Sequence, residues 1–231
     1  MKEKFNIERG DRVVIYMPMV SVAAWAMLAC ARIGAIHSVV FGGFAAKELA
    51  NRLDDSQPKL IITCSCGIEP RKVIKYVPIV DEALSLCEKL ENATELPRLI
   101  YNRSEKPEYI ERKLNEFYVD YEVAIKEKEW DIAECEHLPT NHELYILYTS
   151  GTTGAPKGVV RAQGDTAVGL NYCMKNVFDL HQGGVHFACS DIGWVVGHSF
   201  IVYGPLIRGA TTIFFEGKPI VPDAGVMWRV C

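Results

Sequence analysis

Short β-branched runs alternate with helix-patterned segments through the first hundred residues, and that alternation constrains the fold more than any other feature of the chain. Residues 13–17 (VVIYM) form an apolar run that Pro18 stops. Beyond it Val22, Trp25, Ala26, Ala29, Cys30 and Ile33 recur at helical spacing and predict one buried face. Residues 37–41 and 60–63 read as further strands, with a helical segment at 45–53 between them. A strand–helix–strand order requires a crossover connection, so a parallel sheet with helices on both faces is expected. The pattern also predicts an amphipathic helix over 81–90 and a strand over 99–101. The uncharged run 13–31 has the length of a membrane span, yet Pro18 divides it, and strand, turn and core helix is the better reading.

Chemistry concentrates at 145–158, YILYTSGTTGAPKG, where an apolar strand enters a run of glycines and hydroxyls that closes on a lysine. Gly151, Gly154 and Gly158 let a backbone turn through positive φ and approach a ligand closely. Thr149, Ser150, Thr152 and Thr153 add hydroxyl donors and Lys157 a cation. Those are the needs of a polyphosphate. The Walker A pattern is excluded, because Pro156 stands where its second glycine belongs and Gly158 follows the lysine. Val159 and Val160 continue as strand, whereas a Walker loop opens directly into a helix.

Downstream, Asp165 is expected to cap a helix reaching Leu180, with Val168, Tyr172, Val177 and Leu180 near one face. Residues 187–189, 201–203 and 211–215 read as strands. Gly193, Gly197, Gly204, Pro205 and Gly209 mark turns or close backbone approach. Between 102 and 136 the chain is rich in Glu, Lys and Arg, which reads as solvated surface without chemistry. Arg71, Lys72 and Lys75 follow a Gly-Ile-Glu-Pro turn and read as a basic cluster at a helix start.

A chain of 231 residues, 49% hydrophobic and 23% charged, can bury a sizeable core in one or two domains. Its net charge of −4 supplies no basic field for nucleic acid or an anionic membrane, so an anionic substrate must be held by local cations. Eight scattered cysteines read as thiols in a reducing compartment, and neither they nor the six histidines have metal-ligand spacing. The charged start MKEKFNIERGDR is unlike a leader and is expected to begin inside a fold.

The 145–158 string resembles the phosphate-binding signature of the AMP-forming acyl-CoA synthetases, within the adenylate-forming superfamily. Residues 11–43 are similar to the first subdomain of the acetyl- and propionyl-CoA synthetases and 190–217 to their acyl-pocket region. Residues 65–84 and 216–230 look more like the propionate-type enzymes. The resemblance implies an α/β fold, part of the large N-terminal domain with parallel-type sheets flanked by helices, the C-terminal domain being absent. Within 1–231 it suggests a first βαβ subdomain at 1–100, a charged surface segment at 101–143, and the phosphate-loop and acyl-pocket region at 144–231.

That resemblance also implies the chemistry. A short carboxylate, propionate or acetate, attacks the α-phosphorus of ATP with Mg²⁺ to give acyl-AMP, and the thiol of CoA then displaces AMP. Thr149, Ser150, Gly151, Thr152, Thr153, Gly154 and Lys157 are expected to hold the phosphates. Trp194, Val195, Val196 and Gly197 are expected to line the acyl pocket, with Trp194 gating the thiol, and no protein metal ligand is assigned. Val196 replaces a threonine common in acetate-type enzymes. Glu69, Pro70, Arg71 and Lys72 are expected at the CoA phosphates, although Glu69 stands where arginine is frequent. The chain ends before the family's adenine, Mg²⁺ and ribose motifs and its adenylation lysine, which leads to the expectation of a segment with little ligase activity alone. The alternative is a non-catalytic interaction or regulatory fragment. A mitochondrial matrix location, or else a cytoplasmic one, is implied by resemblance only.

Overall fold

The computed structural model describes residues 1–109, 115–149 and 156–231. Helix α1 (Lys2–Phe5) leads into β1 (Arg12–Met17), α2 (Ser21–Arg32), β2 (Ile36–Phe41), α3 (Ala46–Ser56) and β3 (Leu60–Cys64). A hairpin of β4 (Cys66–Glu69) and β5 (Lys72–Lys75) follows, then α4 (Tyr76–Ser85), β6 (Arg98–Tyr101), β7 (Tyr118–Asp120) and α5 (Tyr121–Lys126). The remainder holds β8 (Glu143–Thr149), β9 (Lys157–Ala162), α6 (Gln163–Asn176), β10 (Val185–His186) and the single turn α7 (Val195–Gly197). It continues through a π-helix (His198–Tyr203), α8 (Gly204–Ile207), β11 (Thr211–Thr212) and α9 (Val226–Val230).

Among the described residues the main sheet has 7 strands in the order β7-β6-β3-β1-β2-β8-β9. All its pairings are parallel except β8 with β9, which run antiparallel. Strand β1 is central, with Val13 facing His37 of β2 on one side and Leu60 of β3 on the other. Its side chains alternate between two cores. Val13, Ile15 and Met17 join α2 and the π-helix, whereas Val14 and Tyr16 join α3 and α4. Burial on both faces explains why the strand reads as an unbroken apolar run. Leu49 and Leu53 of α3 are fully buried, each worth roughly 1.5–3 kcal/mol on transfer from water.

The expected strands at 13–17, 37–41 and 60–63 and the helix at 45–53 are present within a few residues. The uncharged run is β1, a turn at Pro18 and the 12-residue helix α2, and among the described residues no helix is long and apolar enough to cross a membrane. Several expectations fail. Trp25 is 55% exposed, because the buried face of α2 runs through Val22, Ala23, Ala26, Met27 and Cys30. The helix expected over 81–90 is α4 at Tyr76–Ser85; Pro78 falls in its first turn, where a missing N–H breaks no intrahelical bond.

Residues 201–203 are not a strand but part of the π-helix, since a fully buried apolar run carries no periodicity that tells the two apart. Residues 187–189 fall outside any strand, β10 ending at His186, and β11 covers only Thr211–Thr212 of the expected 211–215. Helix α6 begins at Gln163 with Ala162 as its N-cap, so Asp165 lies in the first turn and is not the cap. Its buried residue is Met174. Of the residues expected near one face, Val168, Tyr172 and Val177 are exposed, whereas Leu180, beyond the helix end, is buried.

Candidate active site

The carboxyl ends of β1, β2 and β3 open into one cleft. Chain direction explains this placement. The crossover through α2 sets β2 on one side of β1, and the crossover through α3 sets β3 on the other. In open parallel sheets such a reversal leaves a crevice beyond the strand ends, where ligands bind. Met19 after β1, Phe41 and Gly42 at the end of β2, and Gly67 in β4 line a cavity of about 460 Å³. Its far wall comes from Asp191 and Trp194 and from the irregular segment 215–219.

Close backbone approach at this cleft is enforced by glycine. A Cβ at Gly193 would lie 2.6 Å from the Cα of Phe41, and one at Gly197 would lie 1.9 Å from the carbonyl oxygen of Asp191. With that freedom Trp194 packs its ring 5.7 Å from Phe41 and edge-on to Phe44 at 6.2 Å. Its carbonyl accepts from the backbone N–H of His198. Trp194 remains 47% exposed along the cleft. Val195 and Val196 are likewise partly exposed but do not line this cavity, and Gly197 is buried in α7.

Two cleft groups were invisible in the sequence. Asp191 is half-buried at the wall, where loss of solvent raises its pKa and the N–H of Gly193, donating to Oδ1 at 2.7 Å, partly opposes the rise. The Tyr76 hydroxyl stands beside Gly42, and burial raises its pKa too. Both lie within stretches that the resemblance covers, 65–84 and 190–217, but nothing local distinguishes them from their neighbours.

The hairpin carries the cations. Glu69, Pro70, Arg71 and Lys72 line a second groove of about 500 Å³ with Lys106. Only Lys75, the N-cap of α4, stands at the helix start expected for the cluster: Glu69 ends β4, Pro70 and Arg71 form the turn, and Lys72 and Lys75 belong to β5, paired in register with Glu69 and Cys66. Short strands with a Pro turn replace the helix start because Val73 and Ile74 alternate across the hairpin. Glu69 draws Lys218 to 3.1 Å and Lys72 to 3.8 Å, joining the hairpin rim to the far wall.

The glycine-rich expectation is described at its two flanks. Thr149 and Lys157 face each other across the β8–β9 ladder, both exposed. Because β8 runs parallel to β2, Thr149 ends at the same edge of the sheet as the cleft. Ser150, Gly151, Thr152, Thr153 and Gly154 lie outside the described residues. Gly158 is in β9 opposite Tyr148 and is not among the positive-φ glycines, so it serves as a strand residue and not as the turn that was expected.

The segment 102–136 was expected to be solvated surface, and at Arg103 that fails. Arg103 is 5% exposed and donates from Nη1 and Nη2 to Glu216 at 2.9 and 3.0 Å. Burial alone would lower its pKa, but the hydrogen bonds and charge of Glu216 carry it above the ordinary value. Cysteine readings hold in part: Cys30, Cys64 and Cys66 are buried, whereas Cys135, Cys189 and Cys231 are exposed. Among the described residues no group of three or more His, Cys, Asp or Glu is arranged to hold a metal ion.

The AMP-binding enzyme family model matches residues 1–231. The acyl-CoA synthetase short-chain family member 3, mitochondrial, of Bos taurus is 50% identical over 228 residues, covering 98% of this chain and 32% of that protein. The protein of the same name from Homo sapiens is 49% identical with the same coverage. The acetyl-coenzyme A synthetase of Wolinella succinogenes is 42% identical over 234 residues, covering 100% of this chain and 34% of that protein. Among solved structures, the acetoacetyl-CoA synthetase from Streptomyces lividans superposes with a TM-score of 0.85 at 25% identity, over 99% of this chain and 33% of that one. The chain thus spans about a third of the length of the relatives it matches. An α/β sheet open at its carboxyl edge, a wall built on Trp194 and a family match over every residue lead to one conclusion: the chain belongs to the AMP-binding enzyme family.

Proposed function

We propose that this chain is the substrate-gathering part of an ATP-dependent acid–thiol ligase that converts propionate, or acetate, to acyl-AMP and then to acyl-CoA. The observation that carries the reading is the apolar cleft at the carboxyl edge of the sheet. Trp194 and Phe41 stand within it and the cations of the β4–β5 hairpin stand outside it. A mostly apolar cleft with cations at its rim suits a thiol carried on a long neutral arm that ends in phosphates. Arg71 and Lys72 are the rim residues for that anionic end, with Glu69 and Pro70 shaping the turn.

ATP fits the other side of the same edge. Thr149 and Lys157 flank the glycine and hydroxyl run, and in this reading Lys157 neutralises the outer phosphates while backbone and hydroxyl donors orient them. Mg²⁺ accompanies ATP and screens its charge when bound; the described residues include no cluster of three or more carboxylate, imidazole or thiolate groups to hold it. The apolar side chains of Val195 and Val196 beside Trp194 favour a short alkyl acid, and an extra methylene there is worth only about 1–3 kcal/mol. The preference for propionate rests on the propionate-like stretches 65–84 and 216–230. The mitochondrial matrix is proposed as the compartment because the relatives from Bos taurus and Homo sapiens are named mitochondrial.

The test is carboxylate-dependent ATP–pyrophosphate exchange by the protein that contains these residues. Propionate should support exchange at a lower concentration than acetate, and exchange that ignores both acids would overturn the reading. A second reading, a non-catalytic segment that associates with a complete synthetase, is favoured by the open apolar face of α6 at Val168, Tyr172 and Val177. Background exchange by the 231-residue chain alone, together with its co-purification with an active synthetase, would select it.

A further inference from the structure

One wall of the cleft has no regular structure of its own. Residues 213–219 leave β11 and run as irregular chain past the hairpin, yet Phe215, Glu216, Gly217 and Lys218 all face the cavity. The most buried ion-pair anchor of this segment is Glu216, with Lys218 forming an outer pair with Glu69. The Glu216 carboxylate accepts from both terminal nitrogens of Arg103, and its Oε1 also accepts from the Ile68 N–H of β4 at 2.8 Å. Arg103 is fixed in turn: its backbone N–H donates to Ser65 Oγ at 3.0 Å and its Nε lies 3.4 Å from Glu105. The strap therefore ties three chain segments, those after β3, after β6 and after β11, at the mouth of the cleft.

We infer that Arg103 and Glu216 are positioning residues that set the separation between the 215–219 wall and the β4–β5 hairpin, and with it the affinity for the molecule entering beside Trp194. The argument is geometric. A bidentate guanidinium–carboxylate pair fixes direction as well as distance, and burial protects it from solvent competition. The neighbouring Lys218–Glu69 pair spans the same gap, but its lysine is half exposed and makes a single contact, so it contributes less by itself. Without the inner pair, Phe215 and Gly217 lose their buried charged anchor, and the outer Lys218–Glu69 contact remains. The consequence for thiol binding rests on the function proposed above.

Two variants and two readouts test this. Arg103→Ala strands the Glu216 charge and risks misfolding, so Glu216→Gln accompanies it; glutamine keeps an acceptor for the Ile68 N–H while uncoupling the charge. Hydrogen exchange, followed by peptide mass spectrometry on the protein containing these residues, should show lost protection at 213–219 and at Ile68 with the β1–β3 amides unchanged. In steady-state assays the KM for CoA should rise about tenfold, while carboxylate-dependent ATP–pyrophosphate exchange stays within about twofold. Leu99→Ala, a destabilised core control within β6, should move neither readout. Unchanged protection at 213–219 overturns the inference, as does lost protection with an unchanged KM for CoA. If the unaltered protein exchanges no pyrophosphate, the proposed function fails instead. The exchange protection then decides the strap alone.

Discussion

The Nε2 of His37 lies 2.5 Å from the Tyr203 hydroxyl, a hydrogen bond buried between β2 and the π-helix. His198 stacks over His37 with ring centroids 5.4 Å apart, and Tyr145 packs against both imidazoles. Burial holds the pKa of His37 well below its ordinary 6.5, with the His198 charge adding to the effect, and burial brings His198 down to about 4. The unfolded chain therefore takes up protons first as pH falls. The stability held by His198 is complete above pH 6.5 and is lost between 6.5 and about 4, to the extent of about 3 kcal/mol. Urea midpoints should fall over that window, and His198→Asn should reduce the slope above pH 5, where carboxylates contribute least, leaving the part due to His37. A midpoint independent of pH from 7.5 to 4.5 would contradict the burial argument.

Helix α2 offers a paired test of packing. Met27 is completely buried between β1 and the π-helix side of the sheet, whereas Trp25 projects to solvent from the same helix. Met27→Ala should cost about 2–5 kcal/mol, and Trp25→Ala should stay within about 0.5 kcal/mol. Equal losses in chemical denaturation would mean that the helix is rotated from the orientation described.

Glycine replacements should separate by surroundings. Gly193→Ala drives a methyl into the Phe41 backbone, the Cβ standing 2.6 Å from Cα and 2.9 Å from N, and one chain must move. A loss of about 1–3 kcal/mol is expected, with a change in Trp194 fluorescence. Gly169 lies in exposed helix α6 with nothing within 4 Å of its Cβ position, so Gly169→Ala should raise stability by up to about 1 kcal/mol. Identical thermal midpoints for the two variants would refute the contrast.

Much of this architecture was legible in the sequence because burial on both faces writes itself as apolar runs. The runs at 13–17, 37–41 and 60–63 became β1, β2 and β3, and their alternation with helices dictated the parallel order. The same logic failed where burial was complete in a different geometry: 201–203 is as apolar as a core strand and forms the π-helix. Amphipathic patterning misled at Trp25 and along α6, because tertiary packing chose a face that periodicity alone did not. The Trp194 wall was anticipated through resemblance and the hairpin cations through composition. Arg103 was not, since one arginine in a charged stretch is distinguished only by Glu216, which lies 113 positions away.

Lys157 permits a test that separates chemistry from folding. It opens β9 directly across from Thr149, with its side chain in solvent, and it has no ion-pair partner among the described residues. Lys157→Ala should therefore leave the denaturation midpoint within about 0.5 kcal/mol of the parent. If the lysine grips the outer phosphates as proposed, its loss removes a preorganised charge from a developing anion. Carboxylate-dependent ATP–pyrophosphate exchange should then drop by about 10²-fold, a scale typical for deleting one stabilising donor. Lys157→Arg should recover part of that loss, because a guanidinium retains the cation but not the compact geometry of an ammonium. Undiminished exchange in Lys157→Ala would remove this residue from the proposed grip and leave the 150–155 run to act without it.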